Sequence, residues 1–171
     1  FINGKKVSFN SPRDAIAAGI GMVHQHFSLV PSMTVAENIV MGNPPKLRNG
    51  LVDKKRSISI VQELSKKYGL DINPTGIVKE LPVGLQQRVE ILKALYLGAD
   101  ILIMDEPTAV LTPQEIRQLF KTLQMLKEQG KSIILITHKL KEVKEVTDRV
   151  TVMRRGKITG CRKTKDVTEH E

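Results

Sequence analysis

An aliphatic run, Ile101-Leu102-Ile103-Met104, ends in two adjacent carboxylates, Asp105 and Glu106, followed by Pro107 and Thr108. Such a run reads as a buried strand, and open α/β sheets place their ligands at the C-terminal ends of their strands. Asp105 there is suited to hold Mg²⁺ on a nucleotide, and Glu106 beside it to orient an attacking water. A second apolar run, Ser132 to Thr137, ends at His138. A histidine at the end of a neighbouring strand reaches the same ligand, where it can hydrogen-bond a terminal phosphate oxygen and help fix the water. Alone, His138 reads as a structural or exposed histidine. Paired with Asp105-Glu106, the catalytic reading prevails.

Two other segments add to this pair. Leu81-Pro82-Val83-Gly84-Leu85-Gln86-Gln87-Arg88 leads into a helix. A glycine at a helix start leaves the first backbone N–H groups open to an anion, and the helix dipole favours a phosphate there. By itself this is an ordinary loop-to-helix junction. Gln25 follows a short strand and precedes a helical block. Its neutral amide can bind Mg²⁺ or water and report ligand occupancy to that block. The flanking His24 and His26 share a face at strand alternation, but no third ligand accompanies them, so a metal pair is not expected.

The elements that must position these residues follow from local pattern. Asn3-Gly4 predicts a hairpin turn, with Ile2 before it and Val7 and Phe9 after. Ser11-Pro12 opens a short helix that Gly19 ends. Ile20 to His24 predicts a strand, and Thr34 to Val40 a short helix. Apolar residues at Ile58, Val61, Leu64 and Tyr68 recur at helical spacing up to Gly69. A further helix is expected from about Gly84. Thr112-Pro113-Gln114-Glu115 is a capping box for a helix that stops at Gly130. Lys139 to Asp148 predicts a helix, and Arg149 to Gly160 a hairpin turning at Arg155-Gly156.

Composition sets outer limits. The 171 residues suit one domain, perhaps two-lobed, with an aliphatic core, since aromatics are 4% and Trp is absent. The net charge of +9 is compatible with an anionic partner, but the basic residues are spread in short clusters such as Lys54-Lys55-Arg56, which read as solvated faces. Cys161 is the single cysteine, so no disulfide forms within the chain, and a reducing, cytoplasmic setting fits best. The most apolar stretch, Val89 to Met104, is interrupted by Glu90, Lys93 and Asp100, so it does not read as a membrane span.

Val23-His24-Gln25-His26-Phe27, Leu81 to Arg88, Ile101 to Thr108 and Thr137-His138 come in the order and rough spacing of ATP-binding-cassette (ABC) transporter ATPases. They resemble, in turn, the Q-loop, the signature motif, the Walker B motif with its catalytic Glu, and the H-loop. The resemblance covers nearly the whole chain, and four motifs in order are specific where one would not be. The wording is most similar to the simple-sugar and nucleoside importer branch, whose members carry two cassettes in one chain; this resembles the first. The resemblance implies an α/β fold with a RecA-like P-loop NTPase core and an inserted helical subdomain. The core would take residues 1–33 and 99–171, and the helical, signature-bearing subdomain residues 34–98.

The same resemblance implies ATP and Mg²⁺ as cofactors. Asp105 would hold Mg²⁺ through water with Gln25 near the metal, Glu106 would polarise the lytic water, and His138 would contact the γ-phosphate. Gly84 and Gln86, in the signature segment, would bind ATP held by the other cassette. The implied partners are a second ATP-binding cassette, a transmembrane permease and, indirectly, a solute-binding protein. The implied place is the cytoplasmic face of the cell membrane, as a peripheral subunit.

The sequence departs from the family pattern in places. Pro82 stands where the signature usually has Ser, Val83 replaces a Gly, Leu85 replaces a polar residue, and Thr112 holds a position usually Asp. No Gly-x-x-x-x-Gly-Lys-Ser/Thr loop occurs, so the chain is expected to be a fragment truncated at the N-terminus and inactive alone. A rival reading is a nucleic-acid-associated cassette of the repair or translation type; the absence of a basic arm or zinc insertion favours transport. A non-catalytic module is a third, and Glu106 and His138 argue against it.

Overall fold

The computed structural model describes residues 1–167. The final residues of the expected core range, 168–171, lie outside the described residues. Asn3 and Gly4 take positive φ of 49° and 76°, as the expected turn requires, but the hairpin is reduced to a single bridge between Ile2 and Lys5. Helix α1 (Pro12–Ala17) begins at Ser11, with Pro12 in its first turn and Asp14 closing a capping box. Strand β1 (Ile20–Val23) follows. Helix α2 (Val35–Val40) is capped by Thr34 and Glu37. Helix α3 (Lys54–Tyr68) starts at Asp53 and ends at Gly69, whose φ of 62° is the left-handed cap that glycine supplies. Helix α4 (Val83–Tyr96) leads to β2 (Ile101–Asp105). Helix α5 (Pro113–Glu128), β3 (Ser132–Ile136) and α6 (Leu140–Val146) alternate, and a hairpin of β4 (Arg149–Arg154) and β5 (Lys157–Lys163) closes the described chain.

The first three strands form one parallel sheet in the order β1-β2-β3. The register aligns Val23 with Met104 and Leu135, and Met22 with Ile103 and Ile134. Alternation sends these two rows to opposite faces. Val23, Leu102 and Met104 lie fully buried in the core, with α4 packed on β1 and α5 on β3. The opposite row is apolar too, yet Met22, Ile134 and Ile136 are exposed. Apolar residues on both faces mark a strand built for a covered parallel sheet. Gly21 lets α4 sit tight on β1: a Cβ there would lie 2.8 Å from Ala99 Cβ and 2.9 Å from Ala94 Cβ.

Strand ends come slightly earlier than the pattern suggests. β1 stops at Val23 and β3 at Ile136, so His24, Thr137 and His138 belong to loops. Helix α6 is shorter than expected at both ends. The shift matters for function, because it puts Gln25, Glu106 and His138 on three loops at the same, C-terminal, edge of the parallel sheet.

Candidate active site

Glu106 is the first residue after β2, and it takes the left-handed conformation with φ of 42°. That region costs an L-residue roughly 1–2 kcal/mol. It is held in place by its own backbone: the Glu106 N–H donates to the Ile136 carbonyl at 2.9 Å, and the Glu106 carbonyl accepts from the Ala109 N–H at 3.1 Å. In this setting the carboxylate meets two side chains from the other strand ends. Oε1 lies 2.9 Å from His138 Nδ1, and Oε2 accepts from Gln25 Nε2 at 3.4 Å. The Glu106 side chain is one-third exposed and that of His138 71% exposed, so the pair opens to solvent on one side.

An ionised carboxylate can only accept, so His138 Nδ1 carries the proton in this contact. A neutral imidazole then presents a bare lone pair at Nε2. Donating to Glu106 and to a phosphate oxygen together requires the doubly protonated ring. Asp105, half-buried at the end of β2, pairs in register with Ile136 and stands next to this cluster in the chain.

The segment carrying Gln25 is fixed by hydrogen bonds to neighbouring helices. Lys93 Nζ on α4 donates to the Ser28 carbonyl at 2.8 Å. Buried Asn38 on α2 accepts from the Val30 N–H at 2.7 Å and donates to the Val30 carbonyl at 3.1 Å. The loop after Glu106 is held by Gln87, whose Nε2 donates to the Pro107 carbonyl at 2.7 Å. Gln87 is buried, and sequence reasoning passed over it in favour of Gln86. The available signal was helical spacing: Gln87, Ile91 and Ala94 fall on one face of α4, and a polar residue on an apolar face needs a buried partner.

Gly84 and Gln86 make their bonds elsewhere. Gln86 Nε2 turns back onto the Leu81 carbonyl at 2.9 Å. Pro82 is the N-cap of α4 and offers no side-chain cap. The Gly84 N–H instead donates to Glu115 Oε1 at 3.0 Å, while Glu115 Oε2 accepts from the Thr112 N–H and Oγ1, both at 2.9 Å. One carboxylate thus caps the starts of α4 and α5. The Thr112 backbone N–H, then its hydroxyl and, further, the Gly84 N–H hold the Glu115 carboxyl below the ordinary 4.5. A Cβ at position 84 would lie 2.7 Å from Glu115 Oε1, so a larger residue there would push this carboxylate off the Gly84 N–H.

The donor set suits Mg²⁺. Asp105 and Gln25 offer hard oxygen ligands, and the described residues hold no group of three or more His, Cys, Asp or Glu able to cage a metal. Mg²⁺ is typically bound by one or two carboxylates, water and phosphate oxygens, which fits a site of this kind. No helix among the described residues is long and apolar enough to cross a membrane.

Residues 1–109 match the ABC transporter family. The chain belongs to the ABC transporter family. It is 55% identical over 170 residues to the guanosine import ATP-binding protein NupO of Bacillus subtilis. It is 52% identical over 171 residues to the nucleoside import ATP-binding protein NupA of Lactococcus lactis, and each match covers 99% of this chain and 33% of the relative. A putative ribose/galactose/methyl galactoside import ATP-binding protein of Burkholderia lata is 45% identical over 170 residues, covering 99% of this chain and 32% of that one. The chain therefore spans about a third of the length of these curated relatives. Among solved structures, it resembles CbiO1 of Clostridium perfringens, part of the ABC transporter complex CbiONQ, with a TM-score of 0.70 and 27% identity over 91% of this chain and 62% of that one. A nucleotide-free ATP-binding cassette from an ABC transporter gives a TM-score of 0.75 at 23% identity over 93% of this chain and 66% of that one, a likeness of fold. The α/β, RecA-like P-loop NTPase fold of ABC cassettes is thus the fold of this ABC transporter family member.

Proposed function

We propose that this chain forms part of the ATP-binding and ATP-hydrolysing subunit of an ABC importer that takes up a nucleoside or a sugar. The observation that carries the reading is the placement of Glu106 between His138 at 2.9 Å and Gln25 at 3.4 Å, at the end of β2. Glu106 accepts a proton from the attacking water as that water approaches the terminal phosphate. His138 orients the Glu106 carboxylate through Nδ1 and, when both ring nitrogens carry protons, donates to a phosphate oxygen from Nε2. Asp105 and Gln25 supply oxygen ligands on the metal side, and Mg²⁺ bound with ATP supplies charge neutralisation for the phosphates. Import of a nucleoside or sugar is supported by the names of the relatives, which include nucleoside and guanosine import proteins and a putative sugar import protein.

The wider assignments belong to the same proposal. The chain divides into a core of residues 1–33 and 99–171 and a helical part of residues 34–98. The subunit works with a second cassette and a transmembrane permease at the cytoplasmic face of the membrane, fed by a solute-binding protein. The 171 residues alone turn over ATP poorly, because their sequence contains no Gly-x-x-x-x-Gly-Lys-Ser/Thr loop to cradle the phosphates. The test is Glu106→Gln in the parent subunit assembled with its permease. Hydrolysis is expected to fall by about two to four orders of magnitude with nucleotide binding retained. Hydrolysis at the wild-type rate would sink the assignment.

A further inference from the structure

Behind the Glu106–His138 pair lies a second polar cluster. Glu142, on the first turn of α6, is 7% exposed, and its carboxylate faces both catalytic loops. Its Oε2 accepts from Thr108 Oγ1 at 2.9 Å and from Thr137 Oγ1 at 3.2 Å. Its Oε1 lies 3.3 Å from Lys139 Nζ. Lys139 Nζ also donates to Thr108 Oγ1 at 3.0 Å, and the Lys139 N–H donates to Thr137 Oγ1 at 3.1 Å. Each threonine hydroxyl thus gives its one proton to the carboxylate and takes one from lysine. The donor directions are fixed throughout, with the carboxylate ionised and the ammonium charged. A closed network of this kind in a desolvated setting holds its members rigidly.

Thr108 is two residues after Glu106, and Thr137 directly precedes His138. We propose that Glu142 is a positioning residue for ATP hydrolysis: it clamps the two loops together and so sets the separation of Glu106 and His138. The inference rests on Glu106 being the water-orienting carboxylate. The clamp works alongside the Glu106 N–H bond to Ile136, so the loops are joined both beside the pair and behind it. An acid in the first turn of α6 also suits the helix dipole, which would be a purely structural role. The two roles differ in what they do to catalysis. A helix cap contributes stability whatever stands at position 106, whereas a clamp acts only through Glu106.

The experiment is a double-mutant cycle in the parent subunit assembled with its permease, read by single-turnover ATP hydrolysis, steady-state kcat and KM, and thermal unfolding. Glu142→Gln keeps the size but replaces one carboxylate oxygen by an NH2 group and removes the negative charge that pairs with Lys139. It is expected to lower kcat by about ten- to a hundred-fold, the scale set by a displacement of about 1 Å, with KM for ATP within about twofold. Thr108→Val is expected to do the same, and Thr108→Ser to restore most of the rate that valine removes. In a Glu106→Gln background, Glu142→Gln should add no further loss, because residues acting as a unit are non-additive. The full multiplicative loss in that background would overturn the clamp, as would Thr108→Val with wild-type kcat. If Glu142→Gln does not fold, the valine–serine contrast at Thr108 decides alone. A wild-type rate for Glu106→Gln by itself would instead remove the hydrolase assignment, and this inference with it.

Discussion

Glu106 combines two roles that usually fall to different residues. It sits at a backbone position with φ of 42°, where glycine would be at ease, and it carries the carboxylate proposed to orient the attacking water. Strain of this kind persists where the surroundings over-determine it, and it gathers at functional sites. The cost is separable from the chemistry. Glu106→Gly and Glu106→Ala both abolish the carboxylate, yet the glycine variant should be more stable by about 1 kcal/mol, because only alanine keeps a Cβ in the left-handed region. Urea unfolding of the two variants measures the difference, and equal midpoints would show that the turn is relaxed. The residue pair Asp105-Glu106 was legible from sequence, because an aliphatic run ending in acids has few other readings. The strain was not, since φ depends on the hydrogen bond from Glu106 to Ile136, which joins residues 30 apart in the chain. For the same reason Gln87 and Glu142 stayed hidden: each acts on a loop carbonyl or hydroxyl brought to it by the fold.

The helix starts at Ser11, Thr34 and Thr112 were read from sequence, because caps are local, and Asp53 caps α3 in the same way. Helix α4 differs, since Pro82 cannot cap it and a residue from another helix does. That contact links α4, which holds Gly84, to α5, which follows the loop carrying Glu106. Its pH dependence follows from the lowered Glu115 carboxyl. With the folded value below the ordinary 4.5, the contribution is fully present above 4.5 and is lost as pH falls through the lower folded value. Glu115→Ala should cost about 0.5–2 kcal/mol at neutral pH, the range for a lost cap. Exchange of the Gly84 amide should accelerate in that variant and, in the wild type, below the same pH window. Amide exchange indifferent to both would remove the shared cap.

At the scale of the whole molecule, the sheet is finished on one side only. Val23, Leu102 and Met104 are sealed, whereas Met22, Ile134 and Ile136 face outward, and β3 forms an edge of the sheet. Apolar edges of this kind template association. The 171-residue chain in isolation is expected to self-associate, and Ile134→Lys with Ile136→Thr to reduce it. Sedimentation velocity distinguishes the cases, and a sharply monomeric wild-type profile would contradict the expectation. The alternation of strands with helices was readable from sequence; which face lay open was not, because both faces of these strands are apolar and periodicity cannot rank them.

The bond between Gly84 and Glu115 also ties together two helix starts 31 residues apart in the chain. Any side chain at position 84 would arrive 2.7 Å from Glu115 Oε1, and any shortening at 115 would strip two helix starts at once. A side chain at position 84 would displace the carboxylate that Thr112 also uses, so a change at the head of one helix is felt at the head of the other.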